Sequence, residues 1–270
     1  MKGKKLFFLL LVILVIAGIL VAINLKQTKE DSFKGILQKG NLILGLDDSF
    51  PPMGFRNEDN EIVGFDIDVA KEVCNRLGVE LKIQPISWDA KEQELNSYNI
   101  DCIWNGMSIT EERAKIMSLS NAYLKNNMTF VVKNESGVTN LEDLKGKTIG
   151  VQAGSSAEEL LEESDIYKDL KDVITYSENI TAFMDLEINQ IDAVFLDDVV
   201  ANYYIATNNK NYKVLEEGLE AEEYAIGFRK DDTKLRDKVN DILSEMKKDG
   251  TLGKISTTWF GKDITIIDEK

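Results

Sequence analysis

The chain has 270 residues, of which 43% are hydrophobic and 29% are charged, proportions typical of a soluble globular protein. Its net charge of −15 disfavours contact with a phosphate backbone, so we expect no nucleic-acid partner. The sequence has no histidine and only two cysteines. The sequence therefore lacks the usual set of zinc ligands, and it excludes catalytic mechanisms that depend on histidine. We predict neither a metal site nor a cofactor.

The N-terminus is first basic and then apolar. Lys2, Lys4 and Lys5 precede an uncharged apolar run at residues 6–23, which is near the minimum length of a membrane-spanning helix. A cleavage motif of small residues is poorly formed, so we favour an uncleaved anchor, with a cleaved signal peptide as the alternative. The flanking lysines stay cytoplasmic, which places the rest of the chain at the outer face of the cytoplasmic membrane. Residues 26–40 are polar and predict a tether.

Strands and helices alternate through the remainder of the chain. Apolar runs between turn residues predict strands at residues 42–46, 81–86, 100–104, 127–132, 148–151, 173–176, 192–196 and 224–228. Helical spacing of apolar residues predicts helices at residues 66–77, after Trp88 to about residue 95, after Thr110, and at 156–163, 180–187, 199–207, 233–248 and 253–260. This alternation predicts parallel sheets with helices on both faces.

The two cysteines fall within predicted elements. Cys74 lies on the apolar face of a helix, and Cys102 lies in a buried strand. We expect two inert buried thiols, and a disulfide between them stays open as the alternative.

Two segments of the sequence are similar to each other. Residues 95–104 and 186–195 both read as a helix end, a short turn closed by Ile-Asp, and a buried apolar strand. The first copy runs into Ser108 and Arg113, whereas the second runs into Asp197. The first copy thus leads to a cation with hydrogen-bond donors, and the second copy leads to an anion. This combination suits a zwitterionic ligand held between two similar lobes.

Polar residues follow four of the predicted strands. Asp47, Ser108, Gly154 and Asp197 each come just after a different strand. Ligand sites in sheets of this kind gather at the carboxyl ends of the strands, so we expect these residues to converge.

Six short motifs occur in the order found in one known family. They are GFDIDV at residues 64–69, ID at 100–101, SITEER at 108–113, DLKGK at 143–147, GVQAGSS at 150–156 and GTL at 250–252. Over residues 41–262 the chain resembles the substrate-binding proteins of polar amino-acid ABC importers, solute-binding protein family 3. The resemblance implies the two-lobed periplasmic binding protein type II fold, an α/β fold with two mostly parallel sheets, flanking helices and a hinge, here preceded by an N-terminal apolar helix.

The resemblance also implies how the chain divides. Residues 1–31 would be the anchor and tether, residues 32–126 with 224–270 the first lobe, and residues 130–220 the second lobe. The hinge is expected near residues 127–130 and 219–223.

The same resemblance assigns roles to single residues. Arg113 would bind the α-carboxylate of the ligand with two parallel hydrogen bonds, Ser108 would add donors to that carboxylate, and Asp197 would bind the α-ammonium. Ser156 lies at a helix N-terminus, which suits an anion. The predicted ligand-binding residues are Asp47, Phe50, Trp88, Asn105, Gly106, Ser108, Arg113, Gln152, Ser155, Ser156 and Asp197.

Some of these residues would face the side chain of the ligand. Phe50 and Trp88 would stack against it, and Asp47 would bind its far end. Together with Asn105 and Gln152, Asp47 favours a polar or cationic side chain over a branched apolar one.

The sequence therefore predicts an extracytoplasmic protein that captures a polar L-amino acid by hinge closure and delivers it to an ABC permease. We expect a monomer without enzymatic activity. One alternative is a ligand-sensing module for a signalling partner. A dehydratase on the same fold is disfavoured, because histidine is absent and we expect no glutamate in the cleft.

Overall fold

The structure is a computed structural model that describes residues 32–208, 210–219 and 221–267. The apolar helix predicted at residues 6–23 lies outside these ranges. Within them, no helix combines the length and the apolar character that crossing a membrane requires.

Helices and strands alternate along the described chain. The helices are α1 (Ser32–Lys39), α2 (Phe65–Leu77), α3 (Lys91–Asn96), α4 (Glu111–Ile116), α5 (Ser156–Glu163), α6 (Asn179–Glu187), α7 (Asp198–Asn208), α8 (Thr233–Lys248) and α9 (Thr251–Phe260). The strands are β1 (Asn41–Leu46), β2 (Ser49–Phe50), β3 (Gly54–Arg56), β4 (Ile62–Val63), β5 (Glu80–Pro85), β6 (Cys102–Ser108), β7 (Met117–Leu119), β8 (Leu124–Lys133), β9 (Thr148–Gln152), β10 (Asp172–Tyr176), β11 (Ala193–Asp197), β12 (Tyr212–Val214) and β13 (Ala221–Arg229).

The long strands form one mixed sheet in the order β10-β9-β11-β8-β13-β6-β1-β5. β5, β1 and β6 are parallel to one another, and so are β10, β9 and β11. β8 and β13 run antiparallel to their neighbours and join the two trios. We call residues 41–119 the first half of the molecule and residues 148–208 the second half.

The strand β8 is shared between the two halves. Its residues up to Asn127 pair with β13, and its residues from Met128 onward pair with β11. This change of partner falls within the segment predicted as a hinge, and β13 begins at Ala221, within the other predicted crossing. The two halves are thus joined by two neighbouring antiparallel strands, whereas the lobe boundaries themselves stay a prediction.

The structure differs from the sequence prediction in several elements. The predicted tether ends in the helix α1, because Ile36 is buried and Phe33 packs against the core. β6 continues through Ser108, beyond the predicted end of that strand. Trp88 precedes α3, as predicted, but the 3-10 turn that contains it was not predicted. The strands β7 and β12 were not predicted, and each pairs with a longer strand.

The two cysteines are buried and free. Burial raises the pKa of the Cys74 thiol to about 12, and it raises the pKa of Cys102 well above its ordinary value. The prediction of inert buried thiols is therefore confirmed, and the disulfide alternative is not what the structure contains.

Candidate ligand-binding site

The predicted site residues surround one cavity between the two halves. The lining residues are Phe50, Trp88, Asn105, Gly106, Ser108 and Arg113 from the first half, and Gln152, Ser155, Ser156 and Asp197 from the second. The space among these residues, counted together with its opening to solvent, is about 280 Å³. Asp47 is the predicted residue that does not line it, and the Gln152 Nε2 donates to Asp47 Oδ2 at 2.7 Å. The structure therefore brings together residues that lie far apart in the sequence.

Arg113 is held by backbone groups of both halves. Thr110 caps α4 by accepting a hydrogen bond from the Arg113 amide, which fixes where the arginine leaves the helix. Arg113 is only 3% exposed, and its guanidinium donates to the Ser108 carbonyl at 2.9 Å and to the Gly154 carbonyl at 3.4 Å. Its Nε–H is buried without a protein partner. A buried guanidinium with a spare donor is suited to binding a carboxylate.

The second half directs the N-terminus of α5 toward the cavity. The Ser155 side chain accepts a hydrogen bond from the Glu158 amide, and the Glu158 carboxylate accepts one from the Gly154 amide. The first amides of the helix precede its internal hydrogen bonds and carry partial positive charge. Gly154 has a φ of +68°, and a Cβ there would lie 2.9 Å from the Asp89 Cα of the first half. Glycine is thus required for the two halves to meet here.

Asp197 lies at the end of β11 beside a second acid. It accepts hydrogen bonds from the Asn126 side chain at 2.7 Å and from the Tyr224 hydroxyl. Burial, reinforced by the nearby Glu222 carboxylate, raises the pKa of Asp197 to about 7. Burial also raises the pKa of Glu222. An ammonium group placed between these acids would favour their ionised forms.

Glu222 corrects one sequence prediction. Its carboxylate accepts hydrogen bonds from the Ser108 hydroxyl and, at 3.4 Å, from the Ser156 hydroxyl, and it lies close enough to Arg113 for the two charges to interact. The expectation that no glutamate lies in the cleft is therefore wrong. The strand β13 carries Glu222 there as it crosses between the halves, and burial alternates over its first four residues.

Asp47 is the centre of a polar network at the edge of the cavity. It accepts hydrogen bonds from the Ser49 amide and hydroxyl as well as from Gln152, and its own amide donates to Asn105 Oδ1 at 3.0 Å. The Asn179 side chain donates to Gln152 Oε1 at 3.1 Å. Burial raises the pKa of Asp47. The network thereby combines an acid with side-chain amides from both halves.

Gly106 depends on a residue to which the sequence analysis gave no role. Its φ is +59°, and its amide donates to the fully buried Asp66 carboxylate at 2.7 Å. The Tyr123 hydroxyl donates to the same oxygen at 3.0 Å. Burial raises the pKa of Asp66 to about 7. The pairing of β6 with β13 is irregular in this region, so Asp66 supplies the acceptor that a neighbouring strand would otherwise provide.

Lys91 is a buried cation near the cavity that sequence reasoning also missed. Its Nζ donates to the Gly154 carbonyl at 2.8 Å and lies 5.1 Å from the centre of the Trp88 ring. It forms an ion pair with Glu92 at 3.2 Å. Burial, followed by repulsion from Arg113, lowers the pKa of Lys91. The sequence around it is that of a solvent-exposed helix and gives no sign of this contact.

Comparison with known proteins places the chain in a family. The family described as bacterial extracellular solute-binding proteins, family 3, matches residues 42–262. The chain belongs to this family. The L-cystine-binding protein TcyJ of Escherichia coli is 34% identical to this family 3 protein over 238 residues, which are 87% of this chain and 88% of TcyJ. The arginine-binding extracellular protein ArtP of Bacillus subtilis is 36% identical over 226 residues, covering 82% and 87% of the two chains.

Solved structures of similar proteins have the same fold. One is a substrate-binding protein of an ABC uptake transporter from Streptococcus pneumoniae with bound histidine, at a TM-score of 0.84 and 40% identity. The match covers 87% of this chain and 98% of that protein. The predicted family and the predicted type II fold class are confirmed, except for the N-terminal helix, which lies outside the described residues. The ligand contacts of individual residues stay predictions.

Proposed function

We propose that this family 3 protein captures a polar or cationic L-α-amino acid between two lobes and delivers it to an ABC permease. The observation that carries the proposal is a pair of opposite charges on one cavity, Arg113 from the first half and Asp197 from the second. An α-amino acid has a carboxylate and an ammonium on one carbon, so a single molecule can bind both. Relatives named for cystine and arginine, and one solved with histidine, support the same class of ligand.

Closure follows from contacts on both sides of the ligand. We assign residues 32–126 with 224–270 to one lobe and residues 130–220 to the other, joined near residues 127–130 and 219–223. A ligand stabilises the closed form only by its higher affinity for that form. Arg113 on one lobe and Asp197 on the other can reach the same molecule only when the lobes are closed, which supplies the difference in affinity.

The network around Asp47 sets the preference for a polar or cationic side chain. A buried carboxylate attracts a cationic group or a donor, and the amides of Asn105 and Gln152 can bind other polar groups. Phe50 and Trp88 offer aromatic faces that pack against an aliphatic stem or attract a cation. A branched apolar side chain would leave these polar groups without partners.

The place of action is the outer face of the cytoplasmic membrane. Residues 6–23 would either anchor the protein or be removed as part of a signal peptide. We propose that the protein acts there as a monomer, since one chain supplies both sides of the site.

A second candidate function is that of a dehydratase, and the position of Glu222 beside the cavity is the observation that favours it. A buried carboxylic acid with a raised pKa can protonate a leaving hydroxyl group. Its hydrogen bonds to two serines and its position near Arg113 favour a binding role instead. Incubation of the protein with prephenate or arogenate tests the candidate, and loss of either substrate above the rate in buffer would support it.

A thermal-shift screen against the twenty standard L-amino acids tests the main proposal. Ligand at a hundred times its Kd stabilises the folded protein by about 2.7 kcal/mol, which raises Tm by several degrees. We expect one or a few polar or cationic amino acids to do so, and branched apolar ones to have no effect.

The α-carboxamide and the N-acetyl derivative of the best ligand are the matched controls. Each keeps the side chain and removes one of the two head-group charges, so each should bind at least about tenfold more weakly. A protein whose Tm responds to none of the twenty amino acids contradicts the proposal.

A further inference from the structure

Three oxygen-bearing side chains form a closed hydrogen-bonded group beside the cavity. The Ser108 hydroxyl donates to Glu222 Oε2, and the Ser156 hydroxyl lies 3.1 Å from the Ser108 hydroxyl oxygen and 3.4 Å from Glu222 Oε2. All three residues are buried, and the two serines line the cavity. One serine lies in each half, and Glu222 comes from the strand that joins the halves.

The number of protons in this group decides what the serines offer a ligand. Each hydroxyl has one proton to donate and two lone pairs with which to accept. The Ser108 proton is used on Glu222, and the Ser156 proton is used either on Glu222 or on the Ser108 oxygen. Both donors are therefore used within the group. The serine oxygens face the cavity with lone pairs only, so they can accept a hydrogen bond from a ligand and cannot donate one.

We propose that Glu222 is a positioning residue that fixes the hydroxyls of Ser108 and Ser156 as acceptors and so determines which end of the ligand lies against them. This inference rests on the proposed function. The α-ammonium, with three N–H donors, lies against the serine oxygens and Asp197. The α-carboxylate lies against Arg113, whose Nε–H has no protein partner, and against the first amides of α5. The assignment of the Ser108 hydroxyl to the carboxylate is thereby reversed.

The groups around Glu222 are consistent with this role. Burial raises the pKa of Glu222, and this is opposed by the hydrogen bonds from the two serines and Asn126 and by the charge of Arg113, which favour the ionised form. The ionised carboxylate accepts only, which is the form that takes protons from both serines. A glutamine at this position would place an N–H₂ group, which is a donor, near the two hydroxyls and would free one of them to turn.

Isothermal titration calorimetry of the full-length protein tests the proposal with L-arginine, L-histidine and L-glutamine as probes. We expect Glu222→Gln to weaken the tightest of them at least tenfold. Glu223→Gln, on the exposed side of the same strand, is the matched control and should change the affinity less than twofold.

A double-mutant cycle separates positioning from a general structural effect. If Glu222 acts through the hydroxyls, Glu222→Gln in a background that carries Ser108→Ala and Ser156→Ala should cost less than threefold. The same tenfold loss in that background overturns the role of Glu222.

The α-carboxamide of the tightest probe gives a second, independent readout. It keeps the ammonium and lacks the carboxylate, so Ser108→Ala should weaken the amino acid and its carboxamide by the same factor. If Ser108→Ala weakens only the amino acid with the free carboxylate and not its carboxamide, the proposal is overturned. This comparison does not require that Glu222→Gln folds. A wild type that binds none of the twenty amino acids defeats both this inference and the proposed function. A wild type that binds one, with additive effects in the cycle, defeats the inference alone.

Discussion

The two halves of the molecule share one construction around an Ile-Asp turn. In the first half, the Asp101 amide donates to the Ile43 carbonyl at 2.7 Å, and its carboxylate accepts from the Ile43 amide at 2.8 Å. In the second half, Asp192 makes the same two contacts with Thr148, at 2.8 and 2.9 Å. Each aspartate thus joins the start of the third parallel strand to the central strand of its trio.

The isoleucines of the two turns also have equivalent neighbours. A Cβ on Gly45 of β1 would lie 2.4 Å from the Ile100 side chain, and a Cβ on Gly150 of β9 would lie 2.6 Å from Ile191. In both halves a glycine on the central strand makes room for the isoleucine. The similarity noted between residues 95–104 and 186–195 therefore reflects equivalent positions in two similarly built units.

What differs between the halves is the surroundings of the turn and the residues that follow it. Asp101 is buried and contacts Arg229, whose side chain is 7% exposed, whereas Asp192 is half-exposed and faces Lys147 at 3.5 Å. The third strand of the first half leads on to Arg113 in α4, whereas the third strand of the second half ends at Asp197. The shared turn builds the scaffold, and the segments after it supply the chemistry of the site.

Replacing Arg113 should give the largest effect, because it removes the cation that distinguishes the first half. We expect Arg113→Ala to weaken binding of the best amino acid by about 3–5 kcal/mol, since the ligand carboxylate would be buried without its partner. Calorimetry measures this directly. Lys125→Ala, an exposed cation on the joining strand, is the control, and equal binding by Arg113→Ala and wild type would refute the assignment.

The Ile-Asp turns should differ in how much stability they contribute. Asp101→Ala leaves Arg229 buried with one acid partner fewer and should cost about 3 kcal/mol of unfolding free energy. Asp192→Ala loses a hydrogen bond at a half-exposed site and should cost about 1 kcal/mol. Urea denaturation measures both. Equal costs would mean that burial does not distinguish the two turns.

The paired glycines should respond alike. Gly45→Ala and Gly150→Ala each force an isoleucine to move, and we expect each to cost about 1–2 kcal/mol. Gly35→Ala is the control, because Gly35 lies in α1 with open space around it and alanine favours a helix. A neutral result at one glycine and a cost at the other would show that the two contacts are not equivalent.

Asp197→Asn should change how stability depends on pH, an effect that is measured as a slope rather than as a single cost. The pKa of Asp197 is about 7 in the folded protein and near 3.9 in the unfolded chain. Between these two pH values Asp197 is protonated in the folded state and ionised in the unfolded state. Asp197 therefore makes the protein less stable as pH rises from about 4 to 7, by at most about 1.4 kcal/mol per pH unit. Asp197→Asn should lack this slope in the absence of ligand.

Asp66 allows the same measurement in the first half. Its pKa is also about 7, so Asp66→Asn should remove a similar slope. A bound ammonium next to Asp197 should suppress the slope that Asp197 causes and leave that of Asp66. Chemical denaturation at several pH values, with and without ligand, distinguishes the two, and a slope at Asp197 unaffected by ligand would count against the ammonium contact.

Much of the fold was predictable from local sequence patterns. The helix α8 has the predicted bounds, because its apolar residues recur at helical spacing over four turns. The caps by Thr110 and Ser155 were visible because capping needs only neighbouring residues. Local patterns do not reveal pairing between distant segments. The strands β7 and β12 have three residues each and exist because β13 and β8 run beside them.

The sequence predicted the site residues that lie in family motifs or at the ends of strands. It did not predict all of those that lie elsewhere. Ser108, Arg113 and three residues of the GVQAGSS segment come from those motifs, and Asp197 ends a strand. Glu222 and Lys91 lie beside the cavity, on a crossing strand and on a helix that looks exposed in the sequence, so no nearby pattern connects them with it. Asp66 lies in a motif, but its contact with Gly106 spans forty residues of sequence and appears only once the chain is folded.

Arg113 and Lys91 both donate to the carbonyl oxygen of Gly154 across the join. The acceptor is a main-chain atom, and no point mutation can delete it. Substitutions of other cavity residues can therefore change the wall one by one while the two halves still meet at this oxygen. The surroundings of the cavity can thus vary without loss of this contact between the halves.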